Sequence, residues 1–488
     1  MRAETTAAPQ PGGAAPRGLL GNATWSALDF WAQQATALLV FVLVGNIVGP
    51  AAVGLVTVAQ LAVTLLMALL LDGFSDALIQ RRGLGPEHFD TAFWLLAGLG
   101  GGAALLLWAG APLIAALFGE AELRAMLPAL AAALPFVGVG AVYQSLLQRE
   151  LRFPALAARS ALSQAAGFAT ALAMARAGHG PYALVGYFLC ARALDAVLLA
   201  AISRRAPGAR VSRKALADIV GFGGHRVGNQ LIGFVVMQVD RFSAGLFLGP
   251  VAVGLYSVAE RISTALVGGL SGVLGRVAFP VLSARQADPA AFRRALSEVL
   301  LLGNALALPA FVGVALVSRD LVGLLFSEQW AGASLPLALL ALAGIPHASN
   351  YLLTAAVNAL GRPEVAVRYS LAIMAMRLAA SLAAARHGGV LAVAGANLAV
   401  TAASTFVVLA FTRRHLAGAA GLVAQSLWAP ALATAAMAGA VEGAGLLLAG
   451  APLPVLLPAK IAAGALCYGA ALYPLARARL RSLLARST

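Results

Sequence analysis

The sequence predicts an all-α membrane protein with fourteen crossings, and three observations carry that reading. Apolar stretches follow one another from Thr24 to Ala476, each close to the roughly 20 residues of helix that a hydrocarbon core requires. The turns between them alternate between arginine-rich and almost charge-free, and the first half of the chain is echoed in the second at a spacing of 200 residues.

Taken in order, spans 1 and 2 (24–46 and 53–71) lead to a turn with Arg81 and Arg82, and spans 3 and 4 (91–109 and 125–147) to Arg149 and Arg152. Spans 5 and 6 (157–176 and 181–202) run into Arg204, Arg205, Arg210, Arg213 and Lys214. Spans 7 and 8 (224–248 and 251–275) end before Arg276, Arg285, Arg293 and Arg294; span 7 is the least apolar at its start, where Gly223, Gly224, His225 and Arg226 dilute the run. Spans 9 and 10 (295–317 and 335–360) return to Arg362 and Arg368, and spans 11 and 12 (364–385 and 389–411) to Arg413 and Arg414. Spans 13 and 14 (423–448 and 455–476) close the series before Arg477, Arg479, Arg481 and Arg486. The opposite turns hold only Arg124, Arg176, Arg319 and Arg386. Because basic residues near span ends collect on the cytoplasmic side, this alternation predicts a bacterial inner-membrane protein with both termini in the cytoplasm.

The formal charge of +15 is explained by these turns, so no nucleic-acid partner is expected. Residues 1–20, rich in Pro, Ala and Gly, lack the apolar core of a cleavable signal and are expected to form a disordered tail. Cys190 and Cys467 fall inside predicted spans, which predicts neither a disulfide framework nor a cysteine metal site.

The repeat is read directly. Gly45 through Leu55 (GNIVGPAAVGL) aligns without a gap on Gly245 through Leu255 (GLFLGPVAVGL), and Val58-Ala59 on Val258-Ala259. A second echo sets Leu117-Phe118-Gly119-Glu120 beside Leu325-Phe326-Ser327-Glu328. Six spans per copy, an even number, give both copies the same polarity and predict an axis along the membrane normal. The expected organisation is a first lobe over 21–203, a linker over 204–217, a second lobe over 218–414, and two extra spans with a basic tail over 415–488. Gly-Pro at 49–50 and 249–250 predicts a tight turn, since proline cannot continue a helix.

Charges at bilayer depth are costly and face bundle interiors or wet cavities, which makes them the candidate functional residues. Asn22, Ser26, Asp29, Gln33 and Thr36 form a stripe on one face of span 1. The corresponding stripe of span 7 holds Arg226, Asn229, Gln230, Met237 and Asp240 or Arg241. Span 8 carries Ser257, Arg261 and Thr264, and span 2 echoes it with Thr57, Gln60 and Thr64. Spans 1, 2, 7 and 8 are therefore expected to line a polar space between the lobes. Arg192 with Asp195, His347 with Asn350, and Arg377 near mid-span are further candidates; Glu442 and Lys460 are expected to pair or to reach for the surface. Six intramembrane cations against five anions leave the interior nearly balanced. Asp29, Asp240 and Glu260 are candidates for a coupling ion or for holding arginines in place.

The stretch Val239-Asp240-Arg241, Phe247 through Pro250 and Val253 through Ala259 resembles polysaccharide flippases of the Wzx type, nearest the colanic-acid-exporter-like branch. Supporting segments are Ala77 through Arg81, Leu147 through Phe153, Val277 through Ser283, Leu325 through Trp330 and Asn358 through Arg362. The resemblance covers about Gly21 to Arg414. It implies the V-shaped, two-lobed fold shared with multidrug extruders and peptidoglycan-lipid flippases, and movement of an undecaprenyl-diphosphate-linked oligosaccharide between leaflets. It also implies that Arg226, Arg241, Arg261 and Arg377, with Asn229 and Gln230 beside them, hold the diphosphate or acidic sugars. Membrane lipids and polysaccharide polymerase machinery are the implied partners.

Two other functions compete. An ion-coupled drug or cation antiporter of the same superfamily would use Asp29 as its ion site. A membrane glycosyltransferase, polymerase or ligase needs catalytic groups on a sizeable outer loop; the longest outer turn, 318–334, offers Arg319, Asp320 and Glu328 without a constellation. No HExxH, P-loop or GxSxG pattern occurs. The sequence therefore predicts a non-enzyme without cofactor, metal site or catalytic residues.

Overall fold

A computed structural model describes residues 16–69, 78, 85–416 and 418–484; of these, 16–23, 26, 27, 30, 86, 221–232 and 476–484 are described by backbone alone. All secondary structure among the described residues is helical. The first half contains α1 (Pro16–Leu39), a π-helical turn (Val40–Val44), α2 (Gly45–Met67), α3 (Pro86–Phe118), α4 (Leu123–Ala131), α5 (Leu134–Arg149), α6 (Phe153–Arg176) and α7 (Tyr182–Ser203). The second contains α8 (Arg213–Leu248), α9 (Pro250–Ser283), α10 (Pro289–Leu316), α11 (Ser318–Leu325), a 3-10 turn (Glu328–Ala333), α12 (Ser334–Ala359) and α13 (Pro363–Thr412), followed by α14 (Ala419–Leu447) and α15 (Leu453–Leu484).

Ten segments among the described residues are long and apolar enough to cross a membrane. The protein is a multi-pass membrane protein. Two of the ten contain a backbone break. Gly49 has φ 83° and ψ 170°, and Gly389 has φ 72° and ψ −171°, a region essentially restricted to glycine. Gly249, 200 positions after Gly49, repeats the conformation at φ 80° and ψ −179°, so both Gly-Pro turns of the repeat are built the same way. The helices α6 and α8, where spans 5 and 7 are expected, fall outside the apolar set. On α6 the polar side chains Arg159, Ser160, Ser163 and Gln164 account for this; α8 is described with side chains only at 213–220 and 233–248, neither long enough for a crossing.

The halves meet at the arginine-poor end. A Cβ on Gly54 would overlap the carbonyl oxygen of Pro250, and one on Gly254 would overlap that of Pro50. This contact is reciprocal between positions 200 residues apart, as a two-fold relation between repeats requires. The largest buried cluster lies around it, joining Val53, Val56, Leu127 and Val185 to Val253, Tyr256, Trp330 and Leu337. At the arginine-rich end two separate clusters replace it. One gathers Phe89, Leu96, Tyr143, Leu147, Leu156 and Leu199 of the first half with Ile219 of α8, and the other Leu282, Phe292, Leu353, Val365 and Leu422.

The linker is fastened to α3. Gly208 N–H donates to Asp90 Oδ1 at 2.9 Å, Trp94 Nε1–H to the Gly208 carbonyl at 2.9 Å, and Ser212 N–H to Thr91 Oγ1 at 3.0 Å. Ser212 then caps α8 by accepting from Ala215 N–H. The last two helices dock on the second half: Asn304 of α10 donates to Ser426 of α14 at 2.8 Å, and Tyr468 of α15 to the Ala305 carbonyl at 2.6 Å. Lys460 pairs with Asp320 of α11 at 2.6 Å, not with Glu442, which is exposed. A lysine near a helix end reaches whichever carboxylate the neighbouring helix presents, and here the ends of α11 and α15 are adjacent.

Candidate functional site

The expected polar stripes converge in part. Asp29 and Gln33 of α1 line a cleft of about 550 Å³ together with Gln144 of α5, Arg159 and Gln164 of α6, and Arg192 of α7. Gln144, Arg159 and Asp195 all sit close to the ends of their helices that carry the arginine-rich turns. Asp195 pairs with Arg159 across the α6–α7 contact, not with Arg192 one turn back on its own helix. The facing helix delivers a guanidinium directly to the carboxylate, whereas an i,i+3 pair must bend along a shared surface.

Beside it lies a narrower pocket of about 380 Å³ between α1, α2, α7 and α9, lined by Phe41, Thr57, Gln60, Tyr187 and Arg261. The Arg261 guanidinium sits 3.8 Å from the centroid of the Phe41 ring, a cation–π arrangement. Among the described residues no carboxylate comes within ion-pair distance of Arg261. The two spaces adjoin through one hydrogen bond, Tyr187 OH donating to Gln164 Oε1 at 2.8 Å.

The other expected arginines have different surroundings. Arg241 of α8 donates through Nε to Glu260 of α9 at 2.5 Å and through Nη1 to Gln238 Oε1 at 3.0 Å. Arg377 of α13 donates through Nη2 to Asp240 at 2.8 Å. Asp240, buried at 1% exposure, also accepts from Ser381 Oγ and Tyr256 OH at 2.8 Å each and from Asn397 Nδ2 at 2.6 Å. This carboxylate thus ties α8 and α9 to both legs of α13. Removing a buried charge from water is unfavourable unless it is paired and hydrogen-bonded, and Asp240 meets that condition four times.

The structure therefore separates the expected site residues. Asp29 and Arg261 face the connected polar spaces, Arg241 with Glu260 and Arg377 with Asp240 form two ion pairs in the second half, and Arg226, Asn229 and Gln230 are side chains outside the described residues. His347 is exposed, and Asn350 donates to Ser404 Oγ at 2.7 Å. Arg159, Gln144, Gln164 and Tyr187 were not among the expected residues. A signal existed for one of them: Arg159 is a charge inside span 5, followed by Ser160, Ser163 and Gln164 on the same helical face.

Comparison with known proteins agrees with this geometry. A family model described as polysaccharide biosynthesis protein matches residues 43–335. The teichuronic acid biosynthesis protein TuaB of Bacillus subtilis (strain 168) is 26% identical over 81% of this chain and 83% of its own length. The lipopolysaccharide biosynthesis protein WzxC of Escherichia coli (strain K12) is 23% identical over 72% of each. Among solved structures, lipid II flippase MurJ in its inward closed conformation superposes with a TM-score of 0.76 at 14% identity, over 94% of this chain and 99% of that one. An inward-facing multidrug resistance transporter of the MATE family gives 0.63 at 17% identity, over 80% and 96%. The fold is the one these transporters share, and the chain belongs to the polysaccharide biosynthesis protein family.

Proposed function

We propose that the protein is a flippase that moves an undecaprenyl-diphosphate-linked oligosaccharide across the bacterial cytoplasmic membrane by alternating access, for exopolysaccharide or lipopolysaccharide synthesis. The observation that carries this reading is a polar space containing Arg261, set in a shell whose halves are bound together at the arginine-poor end and whose cores at the other are two distinct clusters, with only the start of α8 packed on the first half. The names of three relatives, concerned with polysaccharide assembly or its transport, support it.

In this reading the ten apolar segments become fourteen crossings, because Gly49 and Gly389 each divide one segment into two and α6 and α8 add two more. Residues 21–203 and 218–414 are the lobes, 204–217 the linker, and both termini are cytoplasmic. Arg261 takes the diphosphate: its guanidinium presents a planar fork to phosphate oxygens and is held from behind by Phe41. Arg241 and Arg377 reach substrate only in a state where their carboxylate partners let go. The lipid tail stays in the bilayer between the lobes while the headgroup crosses, and polymerase machinery receives the product on the far side.

The test is a flipping assay in proteoliposomes loaded with undecaprenyl-diphosphate-linked oligosaccharide. Arg261→Gln is expected to slow translocation at least about tenfold with normal membrane insertion. Unchanged translocation would remove Arg261 from the site.

One observation favours a second reading, an ion-coupled antiporter of the same fold: Asp29 lines the cleft without an ion-pair partner among the described residues. Deletion in the native host separates the two. The antiporter gives altered drug tolerance with glycan export intact, and the flippase gives the reverse.

A further inference from the structure

Two arginines on the wall of the larger cleft, Arg159 and Arg192, carry Nε–H groups that are buried and have no acceptor within the protein. Those Nε atoms are shut off from the space, whereas the Nη groups of Arg192 are neither buried nor bonded among the described residues, so acceptors from outside the chain meet them there. The identity of those acceptors follows from the remaining wall. Arg159 and Arg192 are balanced by Asp29 and Asp195, so the cleft has no excess positive charge with which to hold a diphosphate. It is not apolar either, since Gln33, Gln144 and Gln164 supply amides. Gln164 accepts from Tyr187 OH through Oε1, which leaves its amide N–H groups to donate.

A charge-balanced wall with donors and acceptors at close intervals matches a neutral polyhydroxylated ligand, whose hydroxyls both give and take hydrogen bonds. We infer that the cleft between α1, α5, α6 and α7 is a recognition site for the uncharged sugar portion of the glycan, separate from the phosphate-binding Arg261 and joined to it through the Tyr187–Gln164 hydrogen bond. This rests on the flippase reading and deepens it: the first half selects the sugar, while the guanidinium on the second half selects the diphosphate that every such lipid carries. The arrangement gives specificity to the glycan, because a site built to hydrogen-bond hydroxyl groups is left with unpaired polar groups when they are missing.

The experiment measures binding of two ligands to the purified full chain in detergent: undecaprenyl diphosphate alone, and undecaprenyl diphosphate bearing a neutral tetrasaccharide of glucose. The wild type is expected to bind the sugar-bearing lipid more tightly. Gln144→Leu is expected to weaken it roughly 5- to 10-fold, the loss of one buried hydrogen bond, with undecaprenyl diphosphate unaffected; Arg261→Gln weakens both. Retained binding of the bare lipid is also the check on folding. If Gln144→Leu loses both ligands, the same comparison is made with Gln33→Leu at an exposed position of α1. Equal binding of the two lipids by the wild type, or the absence of a selective loss of the sugar-bearing lipid in both glutamine variants, overturns the sugar site and leaves the flippase reading standing. Failure of the wild type to bind either lipid overturns the flippase reading itself.

Discussion

Gln329 of the second repeat donates through Nε2 to the backbone carbonyl of Asn46 in the first, at 3.0 Å. The Asn46 side chain completes the contact: its Oδ1 accepts from Ser327 N–H at 2.9 Å and Ser327 Oγ at 3.2 Å, and its Nδ2 donates to the Leu325 carbonyl at 3.0 Å. These bonds join the end of span 1 to the segment after α11, across the two halves and beside the Gly49 turn. They constitute a polar latch on the arginine-poor end. For a carrier that alternates, such a latch belongs to one state and must open in the other.

Asn46→Ala removes three of these bonds and keeps the backbone acceptor. With each neutral hydrogen bond contributing about 0.5–1.5 kcal/mol net, the open state gains on the order of 2 kcal/mol, enough to move a minor state to a substantial population. Spin labels on cysteines introduced at Ile47 and Leu335, both exposed, with Cys190 and Cys467 replaced by serine, report the separation. A longer-distance component is expected in Asn46→Ala. A distance distribution identical to that of the unsubstituted chain would show that the latch does not set the equilibrium.

The reciprocal glycine contact makes a sharper demand. At Gly54 and Gly254 the obstacle is a backbone carbonyl, which cannot rotate away as a side chain can, so even a methyl group must push α2 and α9 apart. Gly54→Ala and Gly254→Ala are each expected to lower the apparent melting temperature in detergent by several degrees, consistent with an overpacking cost of about 1–3 kcal/mol. Gly101, in the interior of α3 with nothing near its Cβ direction, is the control. There alanine is expected to be neutral or stabilising, since glycine inside a helix is less favourable than alanine by about 1 kcal/mol. Equal effects at all three positions would mean that α2 and α9 are not in close contact in the membrane.

Much of this was legible in the chain because two signals were long and redundant. Ten helical segments follow the apolar runs, and the 200-residue echo puts Gly54 and Gly254, which meet in the fold, in register. Less could be read of the site. Hydropathy and spacing locate a charge along a helix axis but do not choose its partner, so the neutralisation of Arg377 by Asp240 and of Asp195 by Arg159 depended on helix packing the sequence does not state. Tyr187 and Gln164 carry no charge that singles them out in the sequence, and only the packing of α6 on α7 joins Gln164 to Tyr187 at the edge of the Arg261 pocket.

The pairing of Asp240 with Arg377 yields the last prediction. Removing Asp240 alone leaves Arg377 buried without a counter-charge, and the loss of one partner of a buried pair costs about 3–5 kcal/mol. Asp240→Asn is therefore expected to lower stability severely, and Arg377→Gln to do the same by leaving the carboxylate with only neutral donors. The double variant Asp240→Asn/Arg377→Gln removes both charges and keeps amide groups that can bond to Ser381, Tyr256 and Asn397. It is expected to recover most of the loss, so the coupling in a double-mutant cycle measured by thermal unfolding is at least as large as one single-variant loss, about 3–5 kcal/mol. The same three proteins then decide the role of Arg377. If the refolded double variant still translocates lipid-linked oligosaccharide, Arg377 acts by holding α8 against α13. If stability returns without translocation, its guanidinium is needed by the substrate, and the Asp240 pair is the resting partner from which it is released.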